Sequence, residues 1–162
     1  NHVWSDDFTE DRTEKGQRVR ILAVMDEYTR QCLFLYASAS IPSTKVVDIL
    51  KWLVMCHGMP EHIRSDNGPE FVAHQVKQWI GEQGGQTIYI EPGHPWENPF
   101  IERFIGTLKH DCLQRYLFDN IPEAQRLLDH WRIEYNSHRP HSALGYITPD
   151  TFAAKQSRKI PI

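Results

Sequence analysis

The sequence predicts an α/β fold, a mixed sheet with helices on both faces. Two observations carry that prediction. The first third alternates short apolar runs with turn residues, as a strand meander does. From Ser43 onward, segments with helical apolar spacing alternate with short strand-like runs, which is the order of βαβ units and parallel pairing.

The elements follow in order. Val3 to Phe8 is strand-like, and the polar stretch Asp11 to Gly16 reads as a hairpin connection. Arg18 to Met25 alternates basic and apolar residues at its start, as a strand with one wet face would. Asp26-Glu27-Tyr28 makes a turn into a third strand, Gln31 to Ala37. Ser43 or Thr44 can cap a helix running to about Cys56, whose Val46, Val47, Leu50, Leu53 and Val54 form an apolar stripe. Gly58 and Pro60 end it. His62 to Ser65 is a short strand, and Asp66-Asn67-Gly68 is a turn signal. Pro69 can open the next helix, with Phe71, Val72, Val76, Trp79 and Ile80 inward. Gly84-Gly85 stop that helix, and Thr87 to Ile90 is a strand. A proline-rich loop follows. Asn98 then caps, and Pro99 opens, a helix over 99–115. Another helix runs from Pro122 to about Tyr135, and the tail after Asn136 reads as irregular.

The length of 162 residues suits one domain that buries its own core. No run approaches the roughly 20 apolar residues that span a bilayer, so no membrane partner is expected. Net charge is −3, which a dedicated DNA-binding module does not show. It is unevenly spread: residues 1–97 carry 14 acidic and 9 basic side chains (−5), and residues 98–162 carry 7 and 9 (+2). An acidic part that can host cations beside a mildly basic part that can meet phosphate fits a metal nuclease. Three cysteines without Cys-x-x-Cys spacing argue against a disulfide framework or structural zinc, and each is expected to be a small buried apolar group.

Three carboxylates sit where metal-ion chemistry on a phosphodiester would need them. Asp7 lies in the first strand, Asp66 just past the end of a strand, and Glu102 in the first turns of a helix; 35 residues separate the last two (102 − 66 − 1). A strand carboxylate is costly to bury unless something compensates it, and a divalent cation does so. Hard cations take oxygen ligands, and two of them can clamp the attacking and leaving oxygens of a phosphoryl transfer. The positive end of the helix dipole favours an ionised Glu102. Each residue alone has an ordinary reading, as a turn aspartate or a helix-end glutamate. Successive strand residues face opposite sides, so residue types alone leave Asp6 and Asp7 both open.

HIRSDNGPEF, followed by the Glu of GHPWENPFIERF, resembles the Asp-Asp-Glu signature of retroviral integrases and the transposases of bacterial insertion sequences. WSDDFT resembles the opening motif of that family, Trp, two residues, Asp, Phe, which selects Asp7. ILAVMDEYTRQCL resembles its second and third strands with an Asp-x-x-x-Arg turn, and YNSHRPHSALGYITPDTF resembles the end of the bacterial catalytic subunit. The resemblance runs from Trp4 to about Phe152. Pro99 departs from it, where relatives often carry a small residue, and suits a first helical position.

The resemblance implies a ribonuclease-H-like mixed five-stranded sheet, a catalytic core over 1–152 and a tail over 153–162. It implies that Asp7, Asp66 and Glu102 are both catalytic and metal-ligating, with Mg²⁺ or Mn²⁺, two ions when DNA is bound. Asp7 would bridge both ions, with Asp66 on one and Glu102 on the other. The expected reaction nicks DNA at element ends and joins the 3′-hydroxyl to target DNA, without a covalent protein–DNA intermediate. Lys109, seven residues beyond Glu102 and so on the same helical face, would contact DNA, as would Arg103. Asn67 and Glu70 would orient Asp66. His94 and Trp96 are active-site or packing residues of the proline-rich loop, and Arg139 and His141 match the tail motif without an assigned role. The expected setting is a bacterial cytoplasm, in a multimer on paired DNA ends, with a helix-turn-helix region outside this stretch of chain. A retroelement integrase core, or a degenerate DNA-binding or assembly module, are the alternatives.

Overall fold

The computed structural model describes residues 2–65, 74–84, 86–89 and 98–157. Five strands form one sheet: β1 Val3–Arg12, β2 Arg18–Asp26, β3 Cys32–Ser38, β4 His62–Ser65 and β5 Gln86–Tyr89, in the order β3-β2-β1-β4-β5. The hairpin-linked pairs β1/β2 and β2/β3 are antiparallel, and the pairs β1/β4 and β4/β5 are parallel. Parallel pairing needs a crossover. Helices α1 Ser43–His57 and α2 His74–Glu82 lie in those connections. Helix α3 Pro99–Leu108, a one-turn π segment at Lys109–Leu113, and helices α4 Ile121–Ser137 and α5 Pro149–Ser157 complete the fold.

Strand alternation divides the core in two. Trp4, Leu22, Val24 and Leu33 pack with the inward stripes of α1 and α2, among them Val46, Leu50, Leu53 and Ile80. Ile21, Ala23, Met25 and Leu35 pack on the other face with Ile101, Phe104, Ile105 and Leu108 of α3 and Leu128 of α4. The mixed sheet with helices on both faces is as expected. The wet face of β2 is not. Only Arg18 and Arg20 are off the core, and Ile21 to Asp26 is continuously buried, because β2 lies between β1 and β3 with both faces covered. Arg20 stacks over the Phe8 ring at 4.3 Å.

Other expectations shift at element ends. β1 extends to Arg12, so the connection to β2 is shorter than expected; Thr13 N–H donates to Gln17 O at 2.9 Å and Gly16 supplies a positive φ of 82°. Neither Ser43 nor Thr44 caps α1, whose N-cap position is Pro42 with no side-chain bond. Asn98 holds the cap position of α3, but its side chain makes no capping bond; Pro99 takes the first turn as expected. The predicted 99–115 helix changes pitch at Lys109, with Gln114 N–H donating to Lys109 O at 2.9 Å. The tail is not irregular. Ser142–Leu144 is a 3₁₀ turn, and α5 runs across residue 152. The tail is fixed by Gln31 Nε2 donating to Asp150 Oδ1 (2.8 Å) and by Phe152 packing edge-on to Tyr28. Of the cysteines, Cys32 and Cys112 are buried, but Cys56 is exposed, on the outer side of the last turn of α1 with Met55. Among the described residues no helix is long and apolar enough to cross a membrane.

Candidate active site

Alternation along β1 separates its two neighbouring aspartates. Asp6 pairs across the strands with Val24, whose side chain belongs to the α1/α2 core. It is fully buried, and its Oδ2 accepts a 2.9 Å hydrogen bond from Ser65 Oγ of β4. Asp7 pairs with Ala23, which belongs to the core that α3 and α4 cover. Asp7 is half-buried, and its Oδ1 accepts from the Phe8 amide at 2.7 Å. Helix α3 packs on β1 and β2 through Ile101, Phe104, Ile105 and Leu108. Glu102 is exposed in the first turn of that helix. Arg103 is also exposed. So is Lys109, the first residue of the π segment and two turns beyond Glu102. Asp66, Asn67, Glu70, His94 and Trp96 lie outside the described residues.

Below Asp7 on the same strand face lies a charged cluster that sequence reading missed. Ser5 Oγ donates to Glu27 Oε1, and Arg64 Nε lies 2.9 Å from the same oxygen. Ser5 and Arg64 are register partners across the parallel β1/β4 pair. Glu27 is held in the β2–β3 turn, its amide donating to Val3 O at 3.0 Å. This buried group ties the two central strands to the turn. Its sequence trace was Asp26-Glu27-Tyr28, visible only as turn residues. The turn itself is built as that motif suggests: Asp26 Oδ1 accepts from the amides of Tyr28 (2.9 Å) and Thr29 (2.8 Å), and Arg30 takes φ 63°.

Among the described residues, one group of His, Cys, Asp and Glu side chains converges closely enough to hold a cation: His2, Glu61 and His62. It lies at the start of β1 and β4, five residues along β1 from Asp7, or about 16 Å at roughly 3.3 Å per residue. It is separate from the expected site.

The sequence and the fold both have matches among known proteins. A family profile described as Integrase core domain matches residues 1–95, and a second of the same description matches 83–149. The chain belongs to the integrase core domain family. This integrase core is 36% identical over 155 residues to an insertion element IS407 protein of Burkholderia multivorans, covering 96% of this chain and 56% of that one. It is 36% identical over 154 residues to an insertion element IS476 protein of Xanthomonas euvesicatoria, covering 95% and 44%. The chain thus spans about half the length of these relatives. Its fold matches a chain of the simian T-cell lymphotropic virus intasome in complex with PP2A regulatory subunit B56 gamma, with a TM-score of 0.82 at 18% identity over 100% of this chain and 56% of that one. It also matches the HTLV-2 integrase catalytic core domain solved with magnesium, with a TM-score of 0.73 at 19% identity over 94% and 95%. The ribonuclease-H-like architecture is therefore shared with retroviral cores, while the sequence similarity is to bacterial insertion-element proteins.

Proposed function

We propose that this integrase core cuts and joins DNA by metal-dependent phosphoryl transfer, nicking a strand at a mobile element's end and joining the 3′-hydroxyl to target DNA. One observation carries the reading: Asp7 and the helix bearing Glu102 share one face of the sheet, whereas Asp6 is buried on the other. Asp66 follows directly on Ser65, which is hydrogen-bonded to the residue next to Asp7. Asp7 of β1, Glu102 of the covering helix and Asp66, next in sequence after β4, would make an all-oxygen donor set, which suits Mg²⁺ or Mn²⁺ rather than a thiol-seeking metal. The magnesium of the HTLV-2 core supports the same ion here.

When bound, a pair of such ions supplies Lewis-acid activation of the attacking oxygen and of the phosphodiester. The chain's own residues do the positioning. The Phe8 amide fixes one oxygen of Asp7, the Ser5–Glu27–Arg64 group keeps β1 and β4 in register beside it, and the first turn of α3 carries Glu102. Lys109 and Arg103, exposed on α3 and just past its end, are placed to meet DNA phosphates. Residues 1–152 form the catalytic core, which works in the cytoplasm as part of a multimer on paired DNA ends.

The test is strand nicking of the element's end sequence by the full-length protein in Mg²⁺ or Mn²⁺. Asp7→Asn, Asp66→Asn and Glu102→Gln should each abolish nicking and strand transfer, while Asp6→Asn retains activity, since an amide oxygen still accepts from Ser65. A dead Asp6→Asn beside an active Asp7→Asn would move the site to the other face. Activity in all four variants, or DNA binding without cleavage by the unmutated protein, would remove the catalytic reading.

A further inference from the structure

The tail motif Arg139-Pro140-His141 and helix α3 enclose a cavity of about 270 Å³ that the reaction proposed above leaves unused. Its wall carries the side chains of Arg30, Arg103, Arg139 and His141 together with Phe100 and Tyr135, and among the described residues no Asp or Glu lines it. Three permanent cations around one cavity repel each other unless an anion joins them. Two have internal partners: Arg139 pairs with Asp111, and Arg30 Nη1 donates to Glu27 O. Each of those contacts takes part of a guanidinium that offers five N–H donors. Arg30 Cζ also sits over the Phe100 ring, 3.9 Å from its centroid, which limits where the guanidinium can move. The His141 ring stands edge-on to Tyr135 at 4.9 Å, and among the described residues its buried Nε2 has no hydrogen-bond partner. A buried, unpaired ring nitrogen is costly, and a turn of the ring toward the cavity would let a ligand oxygen satisfy it.

The position indicates which anion. Phe100, Arg103 and Thr107 of the cavity wall recur along α3 at helical spacing, and Arg103 is the residue next to Glu102. Successive helix residues point roughly 100° apart, so a strand held at Glu102 can bring a neighbouring phosphate round α3 to this wall. The volume is close to the lower end of small-ligand sites, roughly 300–1,000 Å³, which suits one phosphate with part of its nucleotide and not a larger cofactor.

We propose that this cavity is a DNA backbone site: one phosphodiester of the strand that crosses α3 seats among Arg30, Arg103 and Arg139, with His141 completing its hydrogen bonds and the nucleotide against Phe100. The proposal gives the tail motif a role in strand positioning, and it rests on the DNA reading above.

The test follows the ring signals of histidines labelled at Cε1 in the full-length protein, with His141→Gln to assign the signal. The probes are an oligonucleotide of the element's end and inorganic phosphate. The oligonucleotide should move the His141 signal. Arg103→Gln, an exposed change that spares the Arg139–Asp111 pair, should lower the log–log salt slope of oligonucleotide binding by about one and reduce that signal change. An oligonucleotide that binds without moving the signal, or an Arg103→Gln slope equal to the unmutated one, overturns the proposal. A signal moved by inorganic phosphate alone overturns the DNA assignment. Glu102→Gln should keep the His141 response, which separates the two readings. A preserved response in an unmutated protein that never nicks leaves this site standing and removes catalysis. Nicking without the response does the reverse.

Discussion

Asn136 is where a single side chain should matter most to the stability of the fold. Its Oδ1 accepts from Cys32 N–H and its Nδ2 donates to Cys32 O, both at 2.9 Å, so one amide of α4 satisfies both backbone groups of the first residue of β3. Cys32 is 1% exposed and Asn136 7%, so water does not readily replace either bond. β3 is an edge strand, and unpaired edge groups need covering. Asn136→Ala removes both partners and leaves a buried N–H and a buried C=O unsatisfied, each worth about 1–3 kcal/mol. Allowing for relaxation, the expected loss is about 2–4 kcal/mol, since such penalties do not sum fully. For a chain of this size that lowers Tm by about 4–16 °C. Asn136→Asp discriminates hydrogen bonding from packing: it keeps the acceptor for Cys32 N–H but sets a carboxylate oxygen against Cys32 O. It should therefore be at least as damaging as Ala near neutral pH despite matching shape. Urea unfolding followed by far-ultraviolet circular dichroism gives both values. A loss below about 0.5 kcal/mol for Asn136→Ala, within the range of neutral surface changes, or a neutral Asn136→Asp, would refute the reasoning.

Two further outcomes can be checked directly. In the native protein one thiol, Cys56, should react promptly with a disulfide reagent at pH 8. Burial raises the Cys112 thiol to about 11 and pushes Cys32 higher still, so both should react only on unfolding; three fast thiols would contradict the two cores as described. Lys109→Ala should lower the salt slope of DNA binding by about one while leaving metal binding unchanged, and an unaltered slope would return Lys109 to a solvated role.

Much of this molecule was legible in the chain alone. The order of strand-like and helix-like periodicities gave the α/β class, because a period near 2 or 3.6 records which face is buried. Asp26 with Arg30 marked the β2–β3 turn, since the short aspartate side chain can bond amides two and three residues on. The spacing of HIRSDNGPEF and FIERF marked the family.

What the sequence left open were matters of which groups meet across the fold. It placed Asp6 and Asp7 side by side but could not say which face α3 would cover, since that depends on the crossover and not on residues near β1. Glu27 read as a turn residue because Ser5 and Arg64, its partners, are 22 and 37 positions away. The tail read as irregular because Gln31, Tyr28 and Cys32, which order it and the end of α4, belong to the first hairpins. The cavity at His141 exists only where that tail meets Arg30 and α3. Local periodicity fixes elements one at a time; the pairing of charges and amides distant in sequence is decided only when the sheet closes and the helices dock upon it.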